Sequence, residues 1–400
     1  MSSSEDENEV CCTCCWRPTS TRDERGPLVA SSGKRSTQNG RSTFRMQWSG
    51  HSRAEPREIE LQPVQEGITF RFRSTRYCLG AEIGRGAHCT VWQCQMVGSH
   101  SRDPPSFALK LHNEEATALK REVGALRALS ATSSGVGLFP QVLGTVRIAR
   151  RTGLALSLHG PDLYHMQKQL HRQPFPRDFV WNCARQLLSA LHALEQAKLV
   201  HADIKPQNIL LHDSEDTTLE GSTRIVLIDL GSCLSREQLD RTRNQVVYVQ
   251  SRWYRAPEVI LCSPLSYPAD TWSVGCVIAE VALGVPLLPG ESEYNQIARI
   301  QAMLGAPPLS LVRRARCANE YFDDVRRGVP TLRSERAEEE PDLIRYLPYN
   351  ELKPLLRHML PKYPESERLT LFEVLDGLLR WDPEDRWCAE SALGRLELMM

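Results

Sequence analysis

Hydrophobic and polar residues alternate through RYCLGAEIGRGAHCTVWQCQMV, residues 76–97, on both sides of a glycine-containing turn. This period of two predicts a β-hairpin. FALKLH (107–112) and LALSLHG (154–160) are also strand-like, and the second stops at a glycine. Between them, TALKREVGALRAL (117–129) places its apolar residues at helical spacing, so a helix is expected there.

Beyond residue 160 the pattern becomes mostly helical. One apolar stripe at helical spacing comprises Phe179, Cys183, Leu187, Leu191 and Leu194. Two short strands, NILL (208–211) and RIVLID (224–229), follow a loop. TWSVGCVIAEVAL (271–283) is apolar on nearly every side, which predicts a buried helix. We therefore predict an α+β fold, with a small β-rich N-lobe over 77–158 and a larger helical C-lobe over 159–398.

Residues 1–70 differ from the rest in composition. They are rich in Ser, Arg, Thr, Gly and Pro and show no sustained hydrophobic period. Such a segment has too few apolar residues to offset its ordering entropy, so we expect a disordered tail. Acylation of the cysteines in the Cys11–Cys15 cluster would bring this tail into membrane contact, and an unmodified flexible tail is the alternative. Ser2 excludes N-myristoylation.

The composition of the 400-residue chain argues against several classes of protein. Lys plus Arg and Asp plus Glu each number 49, so the net charge is zero and gives no sign of nucleic-acid binding. No apolar run approaches the roughly 18 residues of a membrane-spanning helix, and MSSSEDENEV at the start lacks the features of a secretion signal. The 13 cysteines match neither a zinc pattern nor a small disulfide framework, so reduced thiols are expected.

The turn of the predicted hairpin contains a candidate phosphate-binding loop. Gly84 and Gly86 lack Cβ atoms, which allows backbone N–H groups to come close to a phosphate. An ordinary tight turn is the alternative. Cys89 stands at the last position of the G-x-G-x-x-G pattern, where a side chain is expected to crowd or stiffen the loop tip.

Lys110 lies on the buried side of the strand FALKLH. A buried lysine needs an anionic partner, because an unpaired buried charge is costly. Glu122 on the following helix is the preferred partner and Glu115 is the alternative. If Lys110 instead reaches the surface, it needs no partner.

HADIKPQNIL (201–210) carries the strongest chemical signal. Phosphoryl transfer needs a carboxylate that orients and accepts the proton of a hydroxyl, and an oxygen ligand for Mg²⁺ on the same loop. Asp203 and Asn208 have the required D-x-x-x-x-N spacing, and Lys205 between them can neutralise charge on the transferred group. Asp229, at the end of an apolar strand, is a second candidate Mg²⁺ ligand. A turn or a helix cap explains either aspartate alone, but not both at this spacing with Ala-Pro-Glu (256–258) downstream.

These motifs follow one another as they do in a known family. The chain resembles eukaryotic protein kinases of the CMGC group over roughly residues 77–398. The resemblance is carried by the glycine loop, FALK, HADIKPQN, DLG (229–231), APE, D-x-W-x-x-G (270–275) and Asp382-Pro383 with Arg386. It implies a bilobal kinase fold that binds ATP and two Mg²⁺ ions in the cleft, with Lys110, held by Glu122, orienting the phosphates. It also implies a structural pairing of Glu258 with Arg386.

The resemblance implies roles for further residues around ATP. Val91 and Ala108 would cover the adenine and Leu210 would close the site from below, since flat apolar surfaces suit a purine ring. Leu156 falls at the gatekeeper position, Leu158 in the hinge, and Asp162 near the ribose. The complete set of expected ATP-binding residues is Ile83, Gly84, Gly86, Val91, Ala108, Lys110, Leu156, Leu158, Asp162 and Leu210.

One segment indicates a particular branch of the CMGC group, NQVVYVQSRWYRAPEVIL (244–261). It resembles the dual-specificity Tyr-regulated kinases (DYRK) and the related homeodomain-interacting kinases, in which the tyrosine before this motif is autophosphorylated. Tyr248 occupies that position, and Val246 replaces the first tyrosine of the frequent Tyr-x-Tyr pair. A phosphate on Tyr248 would pair with Arg252 or Arg255; a tyrosine packed under its loop is the alternative. Ala202 replaces the arginine by which many kinases grip an activation-loop phosphate.

These expectations define a kinase for Ser/Thr residues of protein substrates, with ATP and Mg²⁺ as cofactors. The chain is expected to be a monomer located in the cytoplasm, the nucleus or both. A pseudokinase scaffold is one alternative, supported by Cys89, Ala202 and the short connection between Lys110 and Glu122. A kinase of another CMGC branch is the second alternative, and the absence of a Thr-x-Tyr loop motif argues against it.

Overall fold

The computed structural model describes residues 64–86, 89–99, 101, 104–112, 117–148, 151–212, 219–323, 328–333 and 347–397. These residues form a small lobe, built on a six-stranded sheet, and a larger lobe made mainly of helices. The predicted α+β, bilobal fold is confirmed. Residues 1–63, which include the Cys11–Cys15 cluster, and the alternative partner Glu115 lie outside the described residues.

The elements are numbered in chain order. The strands are β1 (Thr69–Phe72), β2 (Thr75–Arg85), β3 (Cys89–Met96), β4 (Ser106–His112), β5 (Val142–Ile148), β6 (Arg151–Leu156), β7 (Leu199–Val200), β8 (Ile209–Leu211), β9 (Ile225–Leu227), β10 (Leu234–Ser235), β11 (Phe322–Asp323) and β12 (Thr331–Leu332). The helices are α1 (Thr117–Ser130), α2 (Leu163–Gln169), α3 (Arg177–Gln196), α4 (Arg236–Thr242), α5 (Pro257–Ile260), α6 (Pro268–Leu283), α7 (Glu293–Leu304), α8 (Leu309–Arg314), α9 (Ala318–Tyr321), α10 (Leu352–Met359), α11 (Glu365–Leu378) and α12 (Ala389–Glu397).

The small lobe is an antiparallel sheet in the order β1-β2-β3-β4-β6-β5. The predicted hairpin is β2–β3, and the alternating residues Leu79, Trp92 and Cys94 are buried in a core on one face of the sheet. In β4, by contrast, all residues after Ser106 are buried. This central strand is therefore covered on both faces, which explains why its lysine is enclosed.

The small lobe begins before the predicted boundary at Tyr77. β1 pairs with β2, and Gly67 N donates to Leu79 O at 2.8 Å. Phe72 of β1 packs against Tyr77 and Phe107 with ring centroids 6.2 and 5.3 Å away. This aromatic contact supplies the apolar burial that offsets the entropy of ordering. Residues 64–70 therefore belong to the small lobe, which corrects the predicted end of the tail at residue 70.

Helices α3 and α6 form the centre of the large lobe. The predicted apolar stripe of α3, from Phe179 to Leu194, is buried with at most 2% of each side chain exposed. Every residue of α6 from Ala269 to Leu283 is buried, as expected for a helix that is apolar on all sides. Neither α6 nor any other helix among the described residues has both the length and the apolarity to cross a membrane.

An ion pair anchors α5 inside the large lobe. Arg386 donates from both terminal nitrogens to the two carboxylate oxygens of Glu258, at 2.8 and 2.9 Å, and both side chains are fully buried. Such a bidentate pair has a fixed geometry as well as charge complementarity. The pairing implied by the family resemblance is present.

Two cysteines correct the expectation of reduced thiols. Cys262, after α5, and Cys317, before α9, form a disulfide with Cα atoms 5.5 Å apart. Connectivity of this kind depends on tertiary approach and cannot be deduced from spacing alone. Among the other described cysteines, Cys94, Cys183, Cys233 and Cys276 are free and buried, as expected for small apolar side chains.

Candidate active site

Lys110 joins the two lobes through a buried charge cluster. Its Nζ donates to Glu122 Oε1 at 2.9 Å and to Asp229 Oδ1 at 2.6 Å. Lys110 is 6% exposed and Glu122 is 1% exposed, so water screens this ion pair little. The predicted contact between Lys110 and Glu122 is present despite the short connection between β4 and α1.

Neighbouring charged side chains determine the protonation states of Lys110 and Asp229. Burial opposes the charged form of Lys110, but Asp229 and Glu122 outweigh it and raise the pKa of this lysine. Lys110 in turn lowers the pKa of Asp229 well below its usual range, against the effect of burial. Both groups are therefore ionised at neutral pH.

His112 lies beside this cluster on the same strand. Its Nε2 is 3.8 Å from Glu122 Oε2, and its side chain is 7% exposed. Burial, together with the charge of Lys110, lowers the pKa of His112 to about 4. A neutral imidazole at this position adds no positive charge that would compete with Lys110 for Glu122.

The backbone turns sharply at Asp229. This residue has φ 65° and ψ 63°, a left-handed conformation that is uncommon for a side chain other than glycine. Arg121 on α1 donates to the carbonyl of Gly231 at 3.1 Å and so ties the helix to the segment that follows Asp229. The role of Arg121 was not predictable from the sequence, because no local pattern marks a contact between residues this far apart in the chain.

Asp203 is held by three side chains. Lys205 Nζ donates to Oδ2 at 2.9 Å, and Ser251 Oγ donates to Oδ1 at 2.8 Å. Asn208 Nδ2 donates to the Asp203 carbonyl at 2.8 Å. The predicted residues Asp203, Lys205 and Asn208 are therefore brought together. Ser251 is an addition from the activation segment, the residues from DLG to APE (229–258), and its only sequence signal was its place in the V-Q-S-R motif.

Asp270 of helix α6 fixes the backbone of the loop that carries Asp203 and Asn208, which is called the catalytic loop below. The Asp270 carboxylate accepts hydrogen bonds from His201 N at 2.5 Å and Ala202 N at 2.9 Å. Ala202 has φ 65°, and its carbonyl accepts from Gln250 N at 2.9 Å. This main-chain bond connects the catalytic loop to the activation segment at the place where many kinases use an arginine side chain.

Strand register places the small-lobe residues of the expected nucleotide site. Val91 lies between Gly84 on β2 and Lys110 on β4, so the glycine turn is one strand away from Val91 and two from the lysine. Ala108 pairs with Leu156 on β6. Ile83, next to Gly84, is 49% exposed, which leaves its side chain available to a ligand. Leu158 follows the end of β6 and is half-buried, and Gly86, at the end of the same turn, is exposed.

Two residues of the large lobe complete the expected site. Asp162 and Leu210 form an antiparallel bridge, so these residues lie side by side. Asp162 Oδ1 also accepts a hydrogen bond from His165 N at 2.7 Å and caps helix α2. Asp162 thus has a structural role that does not depend on a ribose.

The donor set fits Mg²⁺ bound together with a nucleotide. Mg²⁺ prefers oxygen ligands and is commonly held by one or two carboxylates plus phosphates. The Asp229 side chain is 41% exposed, and its Oδ1 is used by Lys110. Asn208 uses Nδ2 to bind Asp203, which leaves Oδ1 as its ligand atom. Among the described residues, no group of three or more His, Cys, Asp or Glu side chains is placed to hold an ion.

Tyr248 lies at the outer edge of the site and is 40% exposed. Its hydroxyl donates to Glu293 Oε1 at 2.9 Å and accepts from Arg255 Nη1 at 2.7 Å. The Arg255 guanidinium also lies over the tyrosine ring, 4.0 Å from its centroid. The predicted neighbour Arg255 is thus in contact with Tyr248, while Arg252 lies close by, with its Nε 3.6 Å from Glu293.

A bilobal fold with this arrangement of lysine, aspartates and asparagine defines a protein kinase. The sequence profile of the protein kinase domain matches residues 77–395, and the chain belongs to this family. It is 36% identical over 273 residues to homeodomain-interacting protein kinase 1 of Caenorhabditis elegans, a match that covers 68% of this chain and 31% of the relative.

Two further relatives place the chain among the DYRK-like kinases of the CMGC group. Dual specificity protein kinase YAK1 of Saccharomyces cerevisiae is 30% identical over 266 residues, which cover 60% of this chain and 31% of the relative. Human dual specificity tyrosine-phosphorylation-regulated kinase 3 is 38% identical over 178 residues, which cover 44% of this chain and 28% of the relative. The chain therefore matches only about a third of the length of these relatives.

Proposed function

We propose that the chain is an active kinase that transfers the γ-phosphate of Mg-ATP to Ser or Thr residues of proteins. The observation that carries this proposal is the simultaneous contact of Lys110 with Glu122 and Asp229. This contact joins the sheet, helix α1 and the metal-binding segment, and such positioning supplies most of the catalysis in phosphoryl transfer.

Each catalytic side chain has a role that its contacts support. Asp203, oriented by Ser251 and Lys205, would accept the proton of the attacking hydroxyl. Lys205 would also neutralise charge on the transferred phosphoryl group. Asn208 and Asp229 would hold Mg²⁺, which when bound neutralises charge on the phosphates.

We further propose that the kinase phosphorylates its own Tyr248. The partly exposed Tyr248 side chain and the contact of its hydroxyl with Arg255 support this assignment, because a phosphate there would gain charge-assisted hydrogen bonds. The names of two relatives include dual specificity, which agrees with activity on both hydroxyl types.

The test uses the purified full chain with Mg-ATP and a basic protein substrate, with Asp229→Asn as the matched inactive control. Phosphate transfer to Ser/Thr by the wild type, lost in the variant, supports the kinase. Equal incorporation by both proteins would identify a pseudokinase scaffold instead. Mass spectrometry of the active wild type then tests Tyr248, since an active enzyme without phosphate at Tyr248 would refute the autophosphorylation.

A further inference from the structure

The Cys262–Cys317 disulfide lies where the activation segment is anchored. Cys262 follows α5, which the buried Glu258–Arg386 pair fixes to the large lobe. Ser263 N donates to Glu258 O at 2.8 Å, so the backbone just beyond Cys262 is tied to that anchor. The Cys262 end of the disulfide is therefore fixed.

Cys262 has a backbone conformation that its side chain disfavours. Its φ is +59°, immediately beyond the C-cap residue Leu261 of α5. Glycine is the usual residue at this position of a helix end, since it has no Cβ to clash. Local strain of this kind persists only where the surrounding structure maintains it, and it concentrates at functional sites.

The Cys317 end of the disulfide is held by backbone hydrogen bonds and by an ion pair in the preceding helix α8. Cys317 N donates to Leu261 O at 3.2 Å, and Arg314 forms an ion pair with Asp382 that is partly exposed on the arginine side. Cys317 itself is half-buried, as Cys262 is, so a small oxidant or reductant can reach the pair. Loss of the disulfide would leave these contacts to hold the connection between α8 and α9.

Arg316, next to Cys317, contacts the activation segment directly. Its guanidinium donates to the carbonyls of Asn244 at 2.7 Å and Arg243 at 3.3 Å. Residues 243–246 are exposed, and the buried Val247 separates them from Tyr248. The Arg316 side chain therefore binds the backbone of the activation segment at residues 243–244, where the chain is otherwise exposed.

We propose that Cys262 and Cys317 form a redox modification site that controls the order of the activation segment. In the oxidised form the disulfide holds Arg316 in contact with residues 243–244. In the reduced form the hydrogen bonds between Arg316 and these residues form less often. The effect on catalysis rests on the proposed kinase activity, whereas the effect on the segment does not.

The chemistry balances with a peroxide as oxidant. One thiolate attacks the peroxide oxygen, giving a sulfenic acid and water, and the second thiol displaces hydroxide from that sulfur, which leaves as a second water. Two thiols lose two electrons and hydrogen peroxide gains them. A dithiol reductant reverses the change by thiol–disulfide exchange and becomes a disulfide itself.

The test compares the purified full chain after treatment with hydrogen peroxide and with dithiothreitol. Non-reducing peptide mapping should find the Cys262–Cys317 linkage in the oxidised sample. Brief trypsin treatment should then cut after Arg241 and Arg243 about threefold more slowly in the oxidised sample, because a held segment opens less often. Kinase activity should be higher in the same sample by a similar factor.

Three variants separate the site from its surroundings. Cys262→Gly removes the thiol and suits the positive φ, so it should fold and should give the reduced cleavage rate under both treatments. Cys388→Ser, at an exposed free cysteine, should respond as the wild type does. Arg316→Gln should keep the linkage but lose the protection of residues 241–243.

Specific results would overturn the proposal. The absence of the Cys262–Cys317 peptide after oxidation would refute the site, and equal cleavage of oxidised and reduced wild type would refute the control of the segment. A full redox response in Arg316→Gln would refute the route through Arg316. A chain without kinase activity in either state would refute the proposed function, while the mapping and the cleavage rates would still decide the redox site.

Discussion

The hydroxyl of Tyr248 donates a hydrogen bond to Glu293, with 2.9 Å between the two oxygens. The same carboxylate oxygen forms an ion pair with Arg255, which also donates to the tyrosine hydroxyl. A phosphate on Tyr248 would need Arg255 and would repel the carboxylate. Glu293 therefore holds the tyrosine hydroxyl and its arginine partner together, and a phosphate on Tyr248 would have to displace this carboxylate.

Glu293→Gln should increase phosphorylation of Tyr248. The amide removes the repulsion of the phosphate and weakens the contact that holds the unmodified tyrosine. Because Glu293 is partly exposed, we expect a modest effect of about 1 kcal/mol, or about fivefold in the rate of phosphate incorporation. Quantitative mass spectrometry of phosphatase-treated protein, sampled over time with Mg-ATP, measures this rate.

Glu291→Gln is the matched control for this change. Glu291 lies close to Glu293 and is exposed, and the Arg252 side chain binds its carbonyl rather than its carboxylate. This variant should phosphorylate Tyr248 at the wild-type rate. Equal rates in all three proteins would show that Glu293 does not oppose the phosphate.

Lys110→Met should reduce both catalysis and stability. The variant leaves Glu122, 1% exposed, without its cation, and removal of one partner of a buried pair costs about 3 kcal/mol. Loss of a charge aimed at the phosphates should lower kcat by about 100-fold or more. Chemical denaturation and a phosphate-transfer assay measure the two effects.

Lys120→Met, on the exposed side of α1, controls for the loss of a lysine and should change neither quantity appreciably. Glu122→Gln should cost less stability than Lys110→Met, since its amide leaves no buried anion. If Lys110→Met and Lys120→Met unfold at the same denaturant concentration, the buried ion pair does not stabilise the fold.

The pKa of His112 predicts a loss of stability in weak acid. Its folded pKa of about 4 is below the ordinary value of 6.5, so the unfolded chain binds the proton more readily. Stability should therefore fall as pH drops from about 6.5 to about 4, by up to about 3 kcal/mol from this residue. Urea denaturation at intervals from pH 8 to pH 4.5 follows this change.

His112→Gln should reduce the slope over that range, because a glutamine does not titrate. His165→Gln, at an exposed position in α2, should retain the wild-type slope. Parallel curves for the wild type and His112→Gln would assign the acid sensitivity to other groups.

The sequence revealed the central residues of the site because their chemistry restricts their spacing. Asp203 and Asn208 lie on one short loop, and Asp229 ends a recognisable strand, so their proximity follows from local structure. Lys110 and Glu122 were also predictable, since a buried lysine on a strand needs an acid on the next helix. The structure brings these residues together as the motif order indicated.

Long-range contacts were not predictable in the same way. Arg121, Ser251 and Glu293 act through partners that only the folded chain brings near, and none of them stands out by spacing. The Cys262–Cys317 disulfide joins residues 55 positions apart, and the three helices α6, α7 and α8 lie between them in the chain. The strand Thr69–Phe72 was missed because two aromatic residues in a polar stretch gave too weak a pattern before their packing partners were known.

Arg386→Met should destabilise the large lobe strongly. The methionine removes the bidentate partner of Glu258, which is fully buried, and leaves a carboxylate without a counter-ion. We expect a loss of about 3–5 kcal/mol in the free energy of unfolding, measured by chemical denaturation. Glu258→Gln combined with Arg386→Met should be less destabilising than Arg386→Met alone, because the double variant buries no unpaired charge.

Arg236→Met is the control for loss of an ion pair as such. Arg236 and Asp240 are 60% and 54% exposed at i and i+4 on helix α4, and pairs of this kind contribute about 0.3–0.5 kcal/mol. Unfolding of this variant should therefore resemble that of the wild type. If Arg386→Met is no more destabilising than Arg236→Met, or if the double variant is as unstable as Arg386→Met, the buried charge of Glu258 is not what makes the arginine necessary.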